Sequence, residues 1–270
     1  MTESLSTDPV SLTANLAHQL EQAVRLRRLA YDIVVAEHRG MFARAQNLAS
    51  ANFYRSLQTH EAAEILVRQQ LVEDARILVR VLVEHAVNFA YMLTVGDDST
   101  VDDFVKFPKY WRYKLLQSVK VADETRIRSF MPLEEEEQIR QEHEALKPRF
   151  KGRGSGEWCA DGKLHERAIK VDKKIGEALQ TKYGQFLWMV NSEWRLASSY
   201  VHGMADSLLD QVTESGGVIT IEQKFDPQDA ATALYSANFA IALCIPLLDS
   251  TLGGGHSAEI SLQMKQFTGH

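Results

Sequence analysis

The feature that most constrains this chain is an uncharged stretch at residues 230–248. It contains no Asp, Glu, Lys or Arg, yet Thr232, Ser236, Asn238 and Pro246 interrupt its apolar residues. A stretch of this length in a helix either crosses a membrane or lies at the centre of a helical bundle. The many alanines and the interior polar residues favour the central helix, so we expect no membrane partner.

Few residues elsewhere in the chain would interrupt helices. Of 270 residues, 6 are proline and 15 are glycine, and the 45% that are apolar suffice for a sizeable core. Apolar residues recur at helical spacing, most clearly between residues 62 and 93. Residues 218–221, Val-Ile-Thr-Ile, carry the one convincing strand pattern. We predict an all-α fold, a bundle of about seven or eight helices with a minor β-strand or hairpin near 217–223.

The domain organisation follows from length and from the last glycines. A chain of 270 residues fits one large domain, so we expect residues 1–255 to form a single helical domain. The helices within residues 9–57 either join its core or pack as an extension of it. After the glycines at 253–255, we expect residues 256–270 to be a flexible tail.

Charge, cysteines and missing motifs narrow the classes of function. The formal net charge of −6 gives no overall attraction to nucleic acid or anionic lipid. Cys159 and Cys244 form no CxxC pair, and the chain has no Glu-x-x-His, P-loop or dinucleotide glycine motif. We therefore expect no metal and no cofactor. The polar N-terminus, without a basic-then-apolar signal pattern, predicts a cytoplasmic protein.

The strongest chemical lead is the segment from Arg195 to His202. A seven-residue step on a helix returns to within about 20° of the same face, so these two side chains are expected about two turns apart on one face. Ser198 and Ser199 lie about one turn before His202. Arginine can hold a phosphate and histidine can move a proton, which suits metal-independent phosphodiester cleavage by this candidate catalytic set. In the alternative, Ser and His bond to neighbouring backbone and Arg195 pairs with a carboxylate.

A second polar stripe lies on the helix predicted across residues 62–93. Arg76, Arg80 and Glu84 are spaced at i, i+4 and i+8 in an otherwise apolar helix. Charges on such a stripe need partners if they are buried. Two interpretations remain open: a structural ion network that ties the helix to Glu193 or Asp206, and an anion site beside the predicted catalytic histidine.

A basic segment, residues 147–174, has nine basic and four acidic residues in a chain that is acidic overall. Trp158 lies within it, close to Lys151 and Arg153. Basic residues combined with an aromatic ring are typical of single-stranded nucleic acid binding, so we consider these three side chains candidate RNA contacts. In the alternative, the segment is a solvated loop and helix face whose tryptophan fills the core.

The Arg-x6-His spacing of Arg195 and His202 resembles the signature of the HEPN superfamily, all-helical proteins that include toxin and defence ribonucleases. This resemblance implies an endoribonuclease that acts without metal and pairs two motif helices across a homodimer. Many active members have a polar residue directly after the arginine, whereas this chain has Leu196. That departure concerns the catalytic part of the resemblance and not the fold.

A broader resemblance covers residues 60–210. The helix from Arg80 to Glu84, the loop residue Trp158 and the Ser-x-x-His-Gly run from Ser199 to Gly203 resemble an uncharacterised bacterial family of helical proteins. This resemblance implies architecture and no mechanism.

Two functions from different classes remain open. One is an RNA-cleaving or RNA-binding protein of the toxin or defence type, with Arg76, Arg80 and Glu84 as further binding residues. The other is a non-catalytic helical module that binds a protein partner or a small ligand.

Overall fold

The structure, a computed structural model, describes residues 9–37, 44–122, 131–201, 212–215, 218–221 and 225–268. The helices are α1 (Pro9–Glu37), α2 (Arg44–Arg68), α3 (Val72–Thr94), α4 (Asp98–Ala122), α5 (Leu133–Phe150), α6 (Leu164–Leu179), α7 (Gln185–Met189), α8 (Arg195–Val201), α9 (Pro227–Leu252) and α10 (Ser257–Thr268). A π-helical turn, Val190–Trp194, joins α7 to α8 without a break. We call this continuous segment, residues 185–201, the motif helix.

The two strands form a small antiparallel hairpin. β1 (Val212–Ser215) pairs with β2 (Val218–Ile221), with Val212 opposite Ile221. The prediction of an all-α bundle with a minor hairpin is confirmed, although the hairpin begins at Val212 rather than near residue 217. Counting the motif helix as one, the described ranges contain nine helices, against about seven or eight predicted.

The chain divides into two compact units, Met1–Val95 with Ala168–His270, and Gly96–Arg167. Whether they fold as one domain, as predicted for residues 1–255, stays a prediction. In the first unit the uncharged stretch lies within α9, which packs against α1, α2, α3 and α10. Asp226 caps this helix by accepting a hydrogen bond from the Gln228 backbone N–H at 2.8 Å, and Pro227 occupies its first turn.

Judged by length and composition alone, α3 and α9 could each cross a membrane. In α9, 78% of the most apolar window is buried inside the protein, and in α3 the figure is 50%. The core helix of a soluble protein passes the same test.

The polar residues inside α9 are explained by a buried network. Asn238 and His60 are both fully buried, and the His60 Nε2–H donates to Asn238 Oδ1 at 2.8 Å. The Asn238 amide in turn donates to the backbone and side-chain oxygens of Gln19 at 3.0 Å each. Arg27 donates to His60 Nδ1 at 3.1 Å and forms an ion pair with Glu64. Every buried polar group in this chain of contacts therefore has a partner.

The second unit is built on α4 and α5, which pack through aromatic side chains. Tyr110 stacks on the His143 ring with centroids 4.5 Å apart, and His143 Nδ1 lies 2.9 Å from the Tyr110 carbonyl oxygen. Phe107 meets Phe150 edge-on at 5.4 Å. These contacts give the unit its own small core.

The predicted flexible tail, residues 256–270, contains a helix instead. α10 buries Ile260 and Gln263, and the Gln263 amide donates to Gln22 Oε1 on α1. The contact joins residues 241 positions apart in the sequence, which is why the local glycine pattern does not reveal it.

Candidate functional site

Arg195, the first residue of α8, lies on the surface. Its side chain is exposed and forms no hydrogen bond or ion pair with the described part of the chain. The Ser198 hydroxyl donates to the Trp194 carbonyl oxygen at 2.7 Å, so its proton is held within the helix. The Ser199 side chain and His202 lie outside the described residues. Of the predicted catalytic set, the structure therefore places Arg195 at the surface and Ser198 in a backbone contact.

The π-helical turn directly before Arg195 is an irregular feature that the sequence pattern does not predict. Such turns interrupt regular α-helices and are frequent at functional sites. Its last residue, Trp194, donates through Nε1 to Glu84 Oε1 on α3 at 3.1 Å. The guanidinium carbon of Arg80 lies 4.9 Å from the centre of the Trp194 ring. Arg80 and Glu84 therefore fix the turn from which Arg195 projects.

Arg76, one turn before Arg80 on α3, forms the buried ion pair of the stripe. It is only 5% exposed and pairs through two nitrogens with the Asp229 carboxylate of α9, Nε lying 3.3 Å from Oδ2. Burial alone lowers the pKa of Arg76, but the hydrogen bond and charge of Asp229 outweigh it, and the pKa is raised. Its guanidinium carbon also lies 5.3 Å from the centre of the Tyr200 ring. Arg76 therefore holds α3, α8 and α9 together.

Glu193, in the π turn, is one of the two carboxylates that the ion-network interpretation names. Its carboxylate accepts a hydrogen bond from the buried hydroxyl of Ser236 on α9. Its charge contributes to raising the pKa of Arg76 without pairing with it. Asp206, the other predicted partner, lies outside the described residues.

These contacts bear on whether Arg76, Arg80 and Glu84 form a structural ion network or an anion site. Arg76 pairs with Asp229 and Glu84 accepts a hydrogen bond from Trp194, which favours a structural role for both ends of the stripe. Arg80 forms no ion pair with a described carboxylate, and neither does Arg195. The positive charge that an anion would meet therefore resides on these two arginines.

Asp229, Trp194 and Ser236 were not identified as site residues from the sequence. Asp229 is 153 positions from Arg76, so no local spacing indicates the pair. The one available signal was the need of a buried arginine stripe for carboxylate partners.

The candidate RNA contacts of the basic segment lie in the second unit. Trp158 is 5% exposed, and its ring meets Phe104 edge-on at 4.8 Å. Arg153 pairs with Asp103 at 3.3 Å and donates to the Trp158 carbonyl oxygen at 2.8 Å, whereas Lys151 is exposed. A buried ring cannot stack on a base, so this placement favours the alternative in which Trp158 fills the core.

The buried Arg167 side chain forms hydrogen bonds with the loop that contains Trp158. Its Nη1 donates to the carbonyl oxygens of Gly156, at 3.1 Å, and Gly162, at 2.5 Å, and its guanidinium lies 5.3 Å from the Trp158 ring centre. Gly156 and Gly162 have φ values of 77° and 63°, which glycine adopts without strain. The basic residues and glycines of this segment thus stabilise a folded loop.

Metal-binding side chains are not grouped in the described ranges. Among those residues, no group of three or more His, Cys, Asp and Glu side chains could hold a metal ion. Burial raises the pKa of Cys244, which keeps that thiol protonated.

Comparison with known proteins identifies a family and no activity. The model of a family of unknown function, DUF5677, matches residues 46–219, more than half of the chain. No curated protein and no solved structure matches. The resemblance of residues 60–210 to an uncharacterised helical family is confirmed, whereas the HEPN resemblance gains no support from this match. This chain belongs to the DUF5677 family, whose function is unknown.

Proposed function

We propose that this protein cleaves RNA without a metal ion, with Arg195 binding the phosphate and His202 transferring a proton. The observation that carries the proposal is the exposed Arg195 guanidinium, which has no carboxylate partner in the described ranges. Arginine without an internal partner is available to a phosphate, for which its planar donors are well suited. The toxin or defence role and the homodimer belong to the same proposal.

The chemistry needs no nucleophile from the protein. The 2′-hydroxyl of RNA attacks the adjacent phosphorus, forming a new P–O bond, while the bond from phosphorus to the 5′-oxygen breaks. A base removes the 2′-hydroxyl proton, and an acid returns a proton to the departing 5′-oxygen. A histidine suits either role near neutral pH, and Arg195 offsets the charge that develops on the phosphate oxygens. Because the 2′-hydroxyl is the nucleophile, no serine nucleophile is required. The Ser198 hydroxyl can therefore remain bonded to the Trp194 carbonyl oxygen.

The contacts behind Arg195 support a positioning function. Trp194 is held between the Arg80 guanidinium and the Glu84 carboxylate, directly before Arg195. A phosphate-binding arginine on a turn fixed in this way loses less conformational freedom on binding.

The proposal is tested by incubating purified protein with mixed RNA in the presence of EDTA. We expect cleavage by the native chain and loss of cleavage, by 100-fold or more, in His202→Ala. Arg195→Ala should lower kcat/KM by about 10- to 100-fold. His18→Ala and Arg28→Ala, which replace exposed residues of α1, serve as matched controls and should cleave normally. Cleavage that persists in His202→Ala, or that EDTA abolishes, would overturn the proposal.

A second candidate function, small-ligand binding, is favoured by an apolar cavity in the first unit. The cavity has a volume of about 580 Å³, within the range of ligand sites. Its lining includes Thr94, Ile175, Tyr183, Leu243, Pro246 and Met264. Burial raises the pKa of Tyr183 to about 12, so its hydroxyl stays protonated inside this apolar surface.

Ligand binding at this cavity is tested with anilinonaphthalene sulfonate, a fluorescent apolar probe. Ala178 lines the cavity, so Ala178→Trp should weaken probe binding about tenfold by filling the space. Ala145→Trp, on the exposed face of α5, is the matched control. Equal probe binding by both variants would exclude this cavity as the site.

A further inference from the structure

An aromatic cavity lies beside the motif helix, apart from the two arginine contacts described above. It has a volume of about 520 Å³ and is lined by Lys182, Gly184, Gln185, Trp188, Tyr235 and Phe239. Trp188 comes from α7, and Tyr235 and Phe239 come from α9. Two of the lining residues, Gln185 and Trp188, therefore lie on the motif helix, which also carries Arg195.

Three rings line this cavity, and we call them the platform, although they do not share one plane. Phe239 is 9% exposed and contacts both other rings, edge-on with Trp188 (5.4 Å between centroids, 86°) and nearly parallel to Tyr235 (6.1 Å, 10°). The Trp188 ring therefore stands at a steep angle to the Tyr235 ring. Trp188 is 46% exposed and Tyr235 is 37% exposed. Large aromatic side chains left half in solvent around a concave surface are typical of binding sites.

The charged groups near the platform favour an anionic chain. Lys182 lines the cavity and forms no ion pair with the described residues. Arg195 follows Trp188 by seven residues, about 10 Å along the helix axis, and is likewise unpaired in the described ranges. Two carboxylates near Trp188 are already engaged: Glu193 accepts from the Ser236 hydroxyl, and Asp172 accepts from the backbone N–H groups of Phe186 and Leu187. Burial together with the Glu193 charge raises the pKa of Tyr235.

We propose that Trp188, the most exposed ring of the platform, stacks a base of single-stranded RNA, with Lys182 and Arg195 contacting the phosphates on either side. The proposal rests on the proposed function in that the same strand reaches Arg195. Aromatic rings flanked by cations are the combination that binds single strands, since every base offers a flat face. In a duplex the bases are already stacked and paired, so double-stranded RNA does not fit. The Gln185 amide adds a donor and an acceptor for the edge of the base.

The test measures RNA binding separately from cleavage. A fluorescein-labelled single-stranded oligoribonucleotide is titrated by anisotropy against full-length His202→Ala protein, which leaves the RNA intact. Adding Trp188→Ala should raise Kd about tenfold, and adding Trp188→Phe should raise it less than threefold because a ring remains. The matched control is Tyr54→Ala, which removes an equally exposed ring, 46%, from α2.

The outcomes separate this inference from the proposed function. If Trp188→Ala raises Kd and the native chain cleaves nothing, the stacking site stands and the cleavage proposal fails. If the native chain cleaves RNA but Trp188→Ala binds as tightly as Tyr54→Ala, the stacking site is overturned. It is also overturned if Trp188→Ala changes the oligomeric state in light scattering while Kd is unchanged, since the platform is then a protein interface. Equal affinity for single- and double-stranded RNA would contradict it as well.

Discussion

At the residue scale, the sequence shows which side chains need partners but not which partners they find. The stripe of Arg76, Arg80 and Glu84 was recognisable because charges at i, i+4 and i+8 stand out in an apolar helix. Their partners, Asp229 and Trp194, come from distant helices and depend on how those helices pack. The sequence can therefore predict that these buried charges need partners, but only the folded structure shows which residues the partners are.

The Arg76–Asp229 pair should contribute to stability far more than a surface pair. Asp229→Ala leaves a buried guanidinium unpaired, and we expect the free energy of unfolding to fall by about 2 kcal/mol. The loss is smaller than for a fully enclosed pair because the Asp229 side chain is 37% exposed. Urea denaturation measures it, and Glu137→Ala, which removes the exposed partner of Arg140, should change little. Similar stability of Asp229→Ala and the native chain would show that Arg76 is not held by this contact.

The buried His60 should make stability depend on pH. Burial, followed by the charge of Arg27, lowers its pKa from 6.5 to about 4, so the folded chain keeps the imidazole neutral. Between these values the unfolded chain binds a proton that the folded chain does not bind. The free energy of unfolding is therefore intact above pH 6.5 and falls by about 3 kcal/mol as the pH drops from 6.5 to 4.

The pH effect is isolated by comparing the native chain with His60→Asn in urea titrations at several pH values. The variant should be less stable at pH 7.5 and should lose less stability on acidification. His18→Asn, at an exposed position of α1, should keep the native pH profile. Parallel profiles for the native chain and His60→Asn would contradict the neutral buried imidazole.

At the scale of elements, periodicity predicts the presence of helices and misses their irregularities. A helix at Arg195 is predicted from the sequence, but the π turn at Val190–Trp194 before it is not, because this turn depends on contacts of Trp194 and Glu193 with α3 and α9. The helix α10 is not indicated by the sequence for a related reason, since glycines precede it and its contacts are with the distant helices α1 and α9. Such features arise from packing between elements.

Trp194 should hold the π turn through its ring nitrogen. Trp194→Phe keeps an aromatic ring under Arg80 but removes the hydrogen bond to Glu84, and we expect a loss of about 1 kcal/mol in the free energy of unfolding. Trp188→Phe is a matched control, because Trp188 donates no hydrogen bond among the described residues. Thermal melting compares the two. Equal loss in both variants would mean that the Glu84 contact does not stabilise the turn.

At the scale of the whole molecule, the uncharged stretch determined the architecture most directly. A helix with no charge along residues 230–248 needs apolar neighbours on most of its surface, and α9 packs against α1, α2 and α3. Composition could not show which tryptophan reaches the surface. Trp158, in a basic loop, is 5% exposed, whereas Trp188, in a helix, is 46% exposed. Solvent exposure depends on tertiary packing, so Trp188 could be identified as the proposed stacking residue only in the folded chain.

The central claim, metal-independent RNA cleavage at Arg195 and His202, is tested most directly by the ends of the cleaved RNA. The substrate is an oligoribonucleotide, cut in EDTA and analysed by mass spectrometry, beside a copy with a 2′-deoxy sugar at the cleaved position. Attack by the 2′-hydroxyl predicts a 2′,3′-cyclic phosphate and a 5′-hydroxyl, and no cut in the deoxy copy. Ends with a 3′-hydroxyl and a 5′-phosphate, or cleavage of the deoxy copy, would contradict it.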